Sequence, residues 1–538
     1  MKKSRGSVDR RSSVRIQYAS NLEVSCFSKD TSLPSQVFPA DLVDISLGGL
    51  RMQTNGFLRD GQKVFARLNE TVAGEEPIQG VVAWSETPDT TPRPLRFGIK
   101  FLESSEEQTA KLKQFLEDAL RSRRTRKVKV DRRKFDFFNR WMANLNEEGT
   151  DFQFHTADGP PIDKVVYDGK EVIQLCSNNS LGMSVNPKVI SAAKAALDRF
   201  GTGCGGSRLI SGNLQLLKDL EKTISGFLGF EDSVLFMTGY MGNLGAIEAM
   251  TNISFLNRKV NMVNVVGIFA DHENHKSIIH GCQLAEIKNH ALMRTYRHLD
   301  MNQLEDQLRT THTNRKIIIT EGVFSMRGDL APLKDISLLA NKYNAMIFLD
   351  DSHAIGHMGK TGRGSIEHWG VTNIDVVLGT FSKAFGAAGG FISTQSSLCE
   401  YLRLQANTYI FSSALPPATV AGVKEAFTIF DSELYTHKKF WQNVNYFKTK
   451  VVNLGFDILG SQSHIIPILI GSEQKAKKIA SDLFKKGIFL PAVRYPATAP
   501  GKAILRCMLT AMHTTQQLDF VVDELAKLGR KEGIIPGA

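Results

Sequence analysis

Two textures of hydrophobic and polar positions divide the chain. Residues 1–120 carry short alternating segments, such as Lys63-Val64-Phe65-Ala66-Arg67-Leu68 and Gly80-Val81-Val82-Ala83-Trp84. Polar turns separate them at Glu86-Thr87-Pro88-Asp89 and Thr90-Thr91-Pro92-Arg93. Alternation sends successive side chains to opposite faces, so each segment predicts a strand with one buried face. Strands this short and this closely spaced predict a small antiparallel β-barrel. Its last strand would be Phe97-Gly98-Ile99-Lys100-Phe101-Leu102, followed by an amphipathic helix over 106–120.

From Phe135 onward the pattern becomes apolar runs alternating with stretches of helical period. That predicts βα units and a mainly parallel sheet with helices on both faces. The predicted strands are Ser233–Phe236, Ile268–Asp271, Lys316–Glu321, Ala345–Asp350 and the short apolar run that opens at Val376. The expected organisation is a barrel at 1–120, a linker at 121–138, a large α/β domain at 139–425 and a smaller C-terminal α/β domain at 426–538.

Composition adds little until charge is mapped. The 538 residues are 42% hydrophobic and 22% charged, an ordinary globular balance. No apolar run is long enough for a membrane span, and the basic N-terminus lacks the apolar segment of a secretory signal. The six cysteines form no CxxC pair, which fits reduced thiols in a cytoplasm. The net charge of +11 is concentrated: residues 121–134 hold nine bases and one acid, Asp131. Such a run can bind nucleic acid or anionic lipid. Without a stacking platform or a nucleic-acid motif beside it, a solvated linker is the expectation and no nucleic-acid partner is.

Within the barrel segment, Arg11 and Arg15 form an RxxxR, and Asp44, Ser46 and Gly49 form a DxSxxG. On these motifs the segment resembles a PilZ domain, a receptor module for cyclic di-GMP. Two arginines on an N-terminal arm can grip guanine edges and phosphates in bidentate fashion. Asp44 can accept a guanine N–H, and Ser46 and Gly49 allow close backbone approach.

In the second region chemistry collects at strand ends. In an open α/β sheet the ligand sits beyond the carboxyl ends of the strands. Lys383 follows Val376–Thr380 among small residues, a setting that suits an imine with an aldehyde cofactor once the amine loses its proton. Asp350, at the end of Ala345–Asp350, suits a pyridine nitrogen kept protonated, and His353 a phenolic oxygen. His275 suits stacking on a flat ring. The small-residue turn Met237–Asn243 suits a phosphate at a helix start. Asp271, Glu273 and His275 lack a second ligand cluster, so no metal is expected.

Together with Ser177-Asn178-Asn179-Ser180-Leu181-Gly182, Gly201–Arg208, Glu321–Asp329, Phe411–Pro417 and Ala503–Arg506, these residues make residues 139–528 resemble the α-oxoamine synthases. These are fold-type I pyridoxal 5'-phosphate enzymes that include aminooxononanoate synthase and serine palmitoyltransferase. The resemblance implies that Lys383 bonds to the cofactor, that His275, Asp350 and His353 hold its ring, and that Thr238, Gly239, Tyr240 and Thr380 hold its phosphate. It implies a homodimer in which Ser413 reaches the phosphate from a second subunit. It further implies that Arg506 and Asn178 meet the amino-acid substrate, with Ser325 beside cofactor and substrate. The implied reaction condenses serine, glycine or alanine with an acyl-CoA, releasing CO2 and CoA.

The sequence departs from the family at Ser180, where an aromatic residue is usual, and at Leu217, Lys276, His298-Leu299-Asp300 and Arg327. None of these removes the cofactor set. Three readings therefore stand at this stage: a synthase regulated by cyclic di-GMP, other chemistry on the same fold (transamination or aldol-type cleavage), and a silent signalling scaffold.

Overall fold

The structure is a computed structural model. It describes strands within residues 16–103, helical positions within 106–114, and residues 131–147, 154–252 and 265–537. The chain divides into two compact units, Met1–Phe152 and Gln153–Ala538.

The first unit contains β1 (Ile16–Gln17), β2 (Glu23–Ser28), β3 (Val37–Ser46), β4 (Gly49–Thr54), β5 (Lys63–Arg67), β6 (Ile78–Glu86) and β7 (Leu95–Glu103). They form one antiparallel sheet in the order β1-β3-β2-β5-β6-β7-β4, and β3 also pairs with β4. The alternating segments at 63–68, 80–84 and 97–102 thus fall on β5, β6 and β7. Asp44 and Ser46 lie on β3, Gly49 opens β4 opposite Ser46, and Gln17 pairs with Asp44. Arg11 and Arg15 lie outside the described residues, as do 121–130 of the basic run and much of the helix expected at 106–120. Asp131 caps a single 3-10 turn, Arg132–Phe135, accepting from the Arg133 backbone N–H at 3.2 Å. The helix that follows, Asp136–Glu147, exposes Phe137, Phe138, Trp141 and Met142 by more than half.

The second unit begins with β8 (Ala157–Asp158), β9 (Lys164–Tyr167) and β10 (Lys170–Gln174). Its central sheet holds β11 (Asp232–Phe236), β12 (Val266–Asp271), β13 (Leu292–Tyr296), β14 (Arg315–Glu321), β15 (Ala345–Asp350), β16 (Val376–Thr380) and β17 (Gly390–Thr394). The chain ends with β18 (Ile465–Gly471), β19 (Ile488–Phe489), β20 (Ala492–Val493) and β21 (Ala503–Met508).

The central order is β11-β17-β16-β15-β14-β12-β13. Neighbouring residues within a strand enter different cores. Ile317 and Ile319 join one hydrophobic cluster and Ile318 the other, and Phe348 and Leu349 part in the same way. A sheet buried on both faces explains why its strands read as continuous apolar runs rather than alternating ones. One strand departs from the parallel expectation. β17 runs antiparallel to both β16 and β11. Nine residues, 381–389, join β16 to β17. That is too short for a crossover, so the chain doubles straight back.

Two small sheets complete the unit. β18, β21 and β20 form one, in that order, and β19-β10-β9-β8 the other, with β19 parallel to β10. The helix Pro417–Ser432 runs continuously through position 425. Among the described residues no helix is long and apolar enough to cross a membrane, and no group of three His, Cys, Asp or Glu side chains could hold a metal ion.

Candidate active site

β11, β12, β14, β15 and β16 point the same way, so their carboxyl ends share one edge of the sheet. At that edge lies a cavity of about 220 Å³. β11 delivers Thr238, Gly239 and Tyr240 to its wall, and the turn after β12 delivers His275. β15 brings Asp350 and His353; β16 brings Thr380 and Lys383. Eight sequence-predicted residues from four strand ends therefore line one cavity.

Hydrogen bonds fix the polar groups. Asp350 Oδ2 accepts from Asn243 Nδ2 at 2.7 Å, and its Oδ1 accepts from the Ser352 backbone N–H at 3.1 Å. Asn243 Nδ2 also donates to Ser277 Oγ at 2.9 Å. Ser277 Oγ lies 2.7 Å from His275 Nδ1, and the Ser277 backbone N–H donates to the same nitrogen at 3.2 Å. Since the serine oxygen already accepts from Asn243, its hydroxyl proton turns to Nδ1. His275 is thereby an acceptor at Nδ1 and carries its proton on Nε2. Burial supports this neutral form by lowering the pKa of the ring.

Lys383 is mostly buried, and burial lowers its pKa from the usual lysine range. The Arg506 guanidinium pushes the same way, while Asp350 and Glu321 oppose. The result favours an amine able to act as a nucleophile or base. Burial likewise drives His353 well below the ordinary histidine range, aided by the fields of Lys383 and Arg506. Glu321 is raised well above the carboxylate range by burial and then by Asp350. Its Oε1 accepts from the His275 backbone N–H at 2.6 Å. Arg506, on β21, is itself pulled down to about 10 by burial, and its Nε donates to the Ser325 carbonyl at 2.7 Å.

Residues 170–525 match the aminotransferase class I and II family, and residues 9–118 match the PilZ domain. An 8-amino-7-oxononanoate synthase from Fervidobacterium nodosum is 38% identical over 399 residues, which span 73% of this chain and 98% of the relative. Its counterpart from Thermosipho melanesiensis is 37% identical over 74% and 99% of the two chains. Among solved structures, Sphingomonas wittichii serine palmitoyltransferase superposes with a TM-score of 0.68 at 31% identity, covering 76% of this chain and all of that one. The chain belongs to the aminotransferase class I and II family, on its α-oxoamine synthase branch. This family member is a pyridoxal-phosphate-dependent acyltransferase joined to an N-terminal PilZ domain.

The cavity fits that cofactor on its own terms. Gly239 and Tyr240 are the first residues of the helix Gly239–Thr251, where backbone N–H groups have no intrahelical acceptor. A phosphate suits such a helix start. Thr238 caps it, its Oγ1 accepting from the Met241 N–H at 3.1 Å. The wall behind is closely packed: a Cβ on Gly390 would come within 2.6 Å of the Gly239 nitrogen, so only glycine lets β17 approach there. His353 Nδ1 is buried and has no partner among the described residues.

Four other residues named from this family's motifs, Arg506, Ser325, Asn178 and Ser413, lie outside the cavity lining. Ser325 meets Arg506 through its carbonyl. Asn178 is exposed on the turn before Ser180. Ser413 is exposed and lines a separate cleft with Arg208 and Tyr409. Sequence reasoning missed Asn243, Ser277, Glu321 and Ser352 as parts of the wall. Glu321 carried a signal, since it ends an uninterrupted apolar strand as Asp350 does. Asn243 carried none, because its partner Asp350 is 107 positions away. His298, the neighbour of the departure at Leu299, proves to be a clamp: its two ring nitrogens reach Asp271 and Asp329, and Asp329 also pairs with Arg327 at 2.9 Å.

Proposed function

We propose that this acyltransferase condenses a small amino acid (serine, glycine or alanine) with an acyl-CoA, losing CO2 and CoA to leave an α-amino ketone. The observation that carries the reading is the convergence of Lys383, Asp350, His353 and His275 on one cavity with a helix N-terminus in its wall. Bound there, pyridoxal phosphate supplies an electron sink for negative charge at the amino acid's α-carbon. The protein's own groups supply position and protons. The helix start at Thr238, Gly239 and Tyr240 holds the phosphate with Thr380. Asp350, oriented by Asn243 and Ser352, keeps a ring nitrogen protonated, and neutral His353 meets the ring oxygen. Neutral His275 would stack on the ring, with Ser277 holding its Nδ1. Lys383 would anchor the cofactor, and its Nζ would take the substrate's α-proton. Arg506 receives the substrate carboxylate, with Asn178 and Ser325 at the substrate side.

We assign Ser413 to the phosphate of a second copy in a homodimer; its exposure outside its own cavity supports this. We assign cyclic di-GMP to the barrel at 1–120 through Arg11, Arg15, Asp44, Ser46 and Gly49, with 121–138 as linker to a large domain at 139–425 and a small domain at 426–538. The test is thiol release from short and long acyl-CoAs paired with glycine, serine and alanine, with and without the dinucleotide. One productive pair names the reaction, and a rate change on adding cyclic di-GMP couples the two halves. Turnover of the amino acid without acyl-CoA would replace condensation by transamination or aldol-type chemistry.

A further inference from the structure

A second cluster of ionisable groups lies behind the cavity wall, and no step above uses it. The rings of His357 and His464 stack at 4.0 Å with planes 15° apart, and His464 faces His353 at 6.4 Å. His357 Nε2 meets Ser180 Oγ at 2.6 Å. His464, His357 and Ser180 are fully buried, and His353 nearly so. Phe440 packs on both His357 and His464, 5.4 and 5.6 Å away. The backbone carbonyl of His357 accepts from His437 Nε2 at 2.9 Å and Trp441 Nε1 at 2.7 Å, which pins the stack in place.

The nitrogens are the anomaly. His353 Nδ1, His357 Nδ1 and both nitrogens of His464 are buried with no partner among the described residues. A buried unpaired polar atom is costly, and four together are rare unless internal water joins them. No acid is among the groups acting on His464: after burial come His357, then Arg506, Lys448 and Lys383. Burial first, then neighbouring rings and Lys383, holds the imidazoles neutral, with His357 pulled down to about 3. A neutral imidazole presents one donor and one acceptor, so a column of them can pass orientation from ring to ring.

We propose that Ser180, His357 and His464 are positioning residues for His353, joined to it by bridging water into one hydrogen-bonded column that fixes which His353 nitrogen faces the cavity. The departure at Ser180 acquires a reason: its short side chain sets a hydroxyl 2.6 Å from His357 Nε2. The inference rests on the reading that His353 meets the cofactor's ring oxygen.

The test compares wild type with His464→Leu, His464→Gln and Ser180→Ala. Three quantities are read: pyridoxal phosphate affinity by fluorescence titration of the apoprotein, apoprotein melting temperature, and the pH midpoint of the bound cofactor's absorbance. His464→Leu is expected to weaken cofactor binding about tenfold, as for loss of one buried hydrogen-bonded partner. It should move the midpoint by about one pH unit without raising the apoprotein melting temperature. His464→Gln, which keeps a donor and an acceptor, should restore affinity to within about twofold of wild type. Ser180→Ala should move the midpoint in the same direction, and it decides the matter should His464→Leu not fold. A raised melting temperature in His464→Leu with unchanged affinity and midpoint means a dry, purely structural stack and overturns the proposal. So does an unmoved midpoint in Ser180→Ala. Failure of wild type to bind the cofactor would instead sink the reading of the cavity itself.

Discussion

Replacing His298 with glutamine probes the clamp between the turn that carries His275 and the loop that carries Ser325. His298 Nδ1 lies 2.9 Å from Asp271 Oδ1, and its Nε2 lies 3.0 Å from Asp329 Oδ2. Ionised carboxylates only accept, so both ring nitrogens must donate, and only the imidazolium can do that. Burial works against the charge, but the hydrogen bonds to Asp271 and Asp329 outweigh it and raise the ring to about 9. A raised histidine stabilises fully below its unfolded value of 6.5, and the stabilisation is lost as pH rises through about 9. At 1.36 kcal/mol per pH unit the gap is worth about 3 kcal/mol. The side chain is 16% exposed, and solvent screening reduces this to about 2 kcal/mol. For a unit the size of Gln153–Ala538, unfolding entropy is about 0.8 kcal/mol per kelvin, so the expected change is about 2–3 °C. Circular-dichroism melts of both proteins at pH 6, 7.5 and 9.5 should show His298→Gln melting lower by that amount at pH 6, with the gap closed at pH 9.5. A gap that stays constant across the range would refute the charged clamp.

Lys383→Ala should leave no cofactor attached after borohydride reduction and desalting, read by absorbance, and should lower turnover by a factor of about 10² to 10⁴. Arg208→Ala strips the partner from Glu221 in a pair whose side chains are 6% and 5% exposed. Arg403, 3.6 Å from the same carboxylate, offsets part of the loss. Urea unfolding should show a cost of about 3 kcal/mol, the low end for a broken buried pair. Arg11→Ala with Arg15→Ala should weaken cyclic di-GMP binding at least about tenfold by calorimetry while leaving thiol release without the dinucleotide unchanged.

The strands that deliver the cavity were legible because each is buried on both faces and so reads as an unbroken apolar run ending in polar residues. β15 and β16 were found to the residue at their starts for that reason. β13 was not, since it forms the sheet's edge and half exposes Leu292–Thr295, which erases the apolar signal. β17 opens on a glycine rather than an apolar run, and that Gly390 is what lets it approach the helix start at Gly239. The chemistry at strand ends was visible residue by residue; the partners that orient it were not. Asn243 and Asp350 are 107 positions apart and Ser180 and His357 are 177 apart. No local pattern encodes a contact that only the closed sheet creates.

The parallel pairing of β10 with β19 has a consequence for how the protein is made. Ile173 faces Ile488, and Arg506 reaches back to a carbonyl 181 positions earlier. At a synthesis rate of about 5–20 residues per second, the roughly one hundred residues between β17 and Arg506 take about 5–20 s to emerge. Throughout that interval the nascent chain already holds every strand of the central sheet, with Lys383 among them, but no guanidinium opposite Ser325. The lysine therefore emerges before the arginine that reaches Ser325.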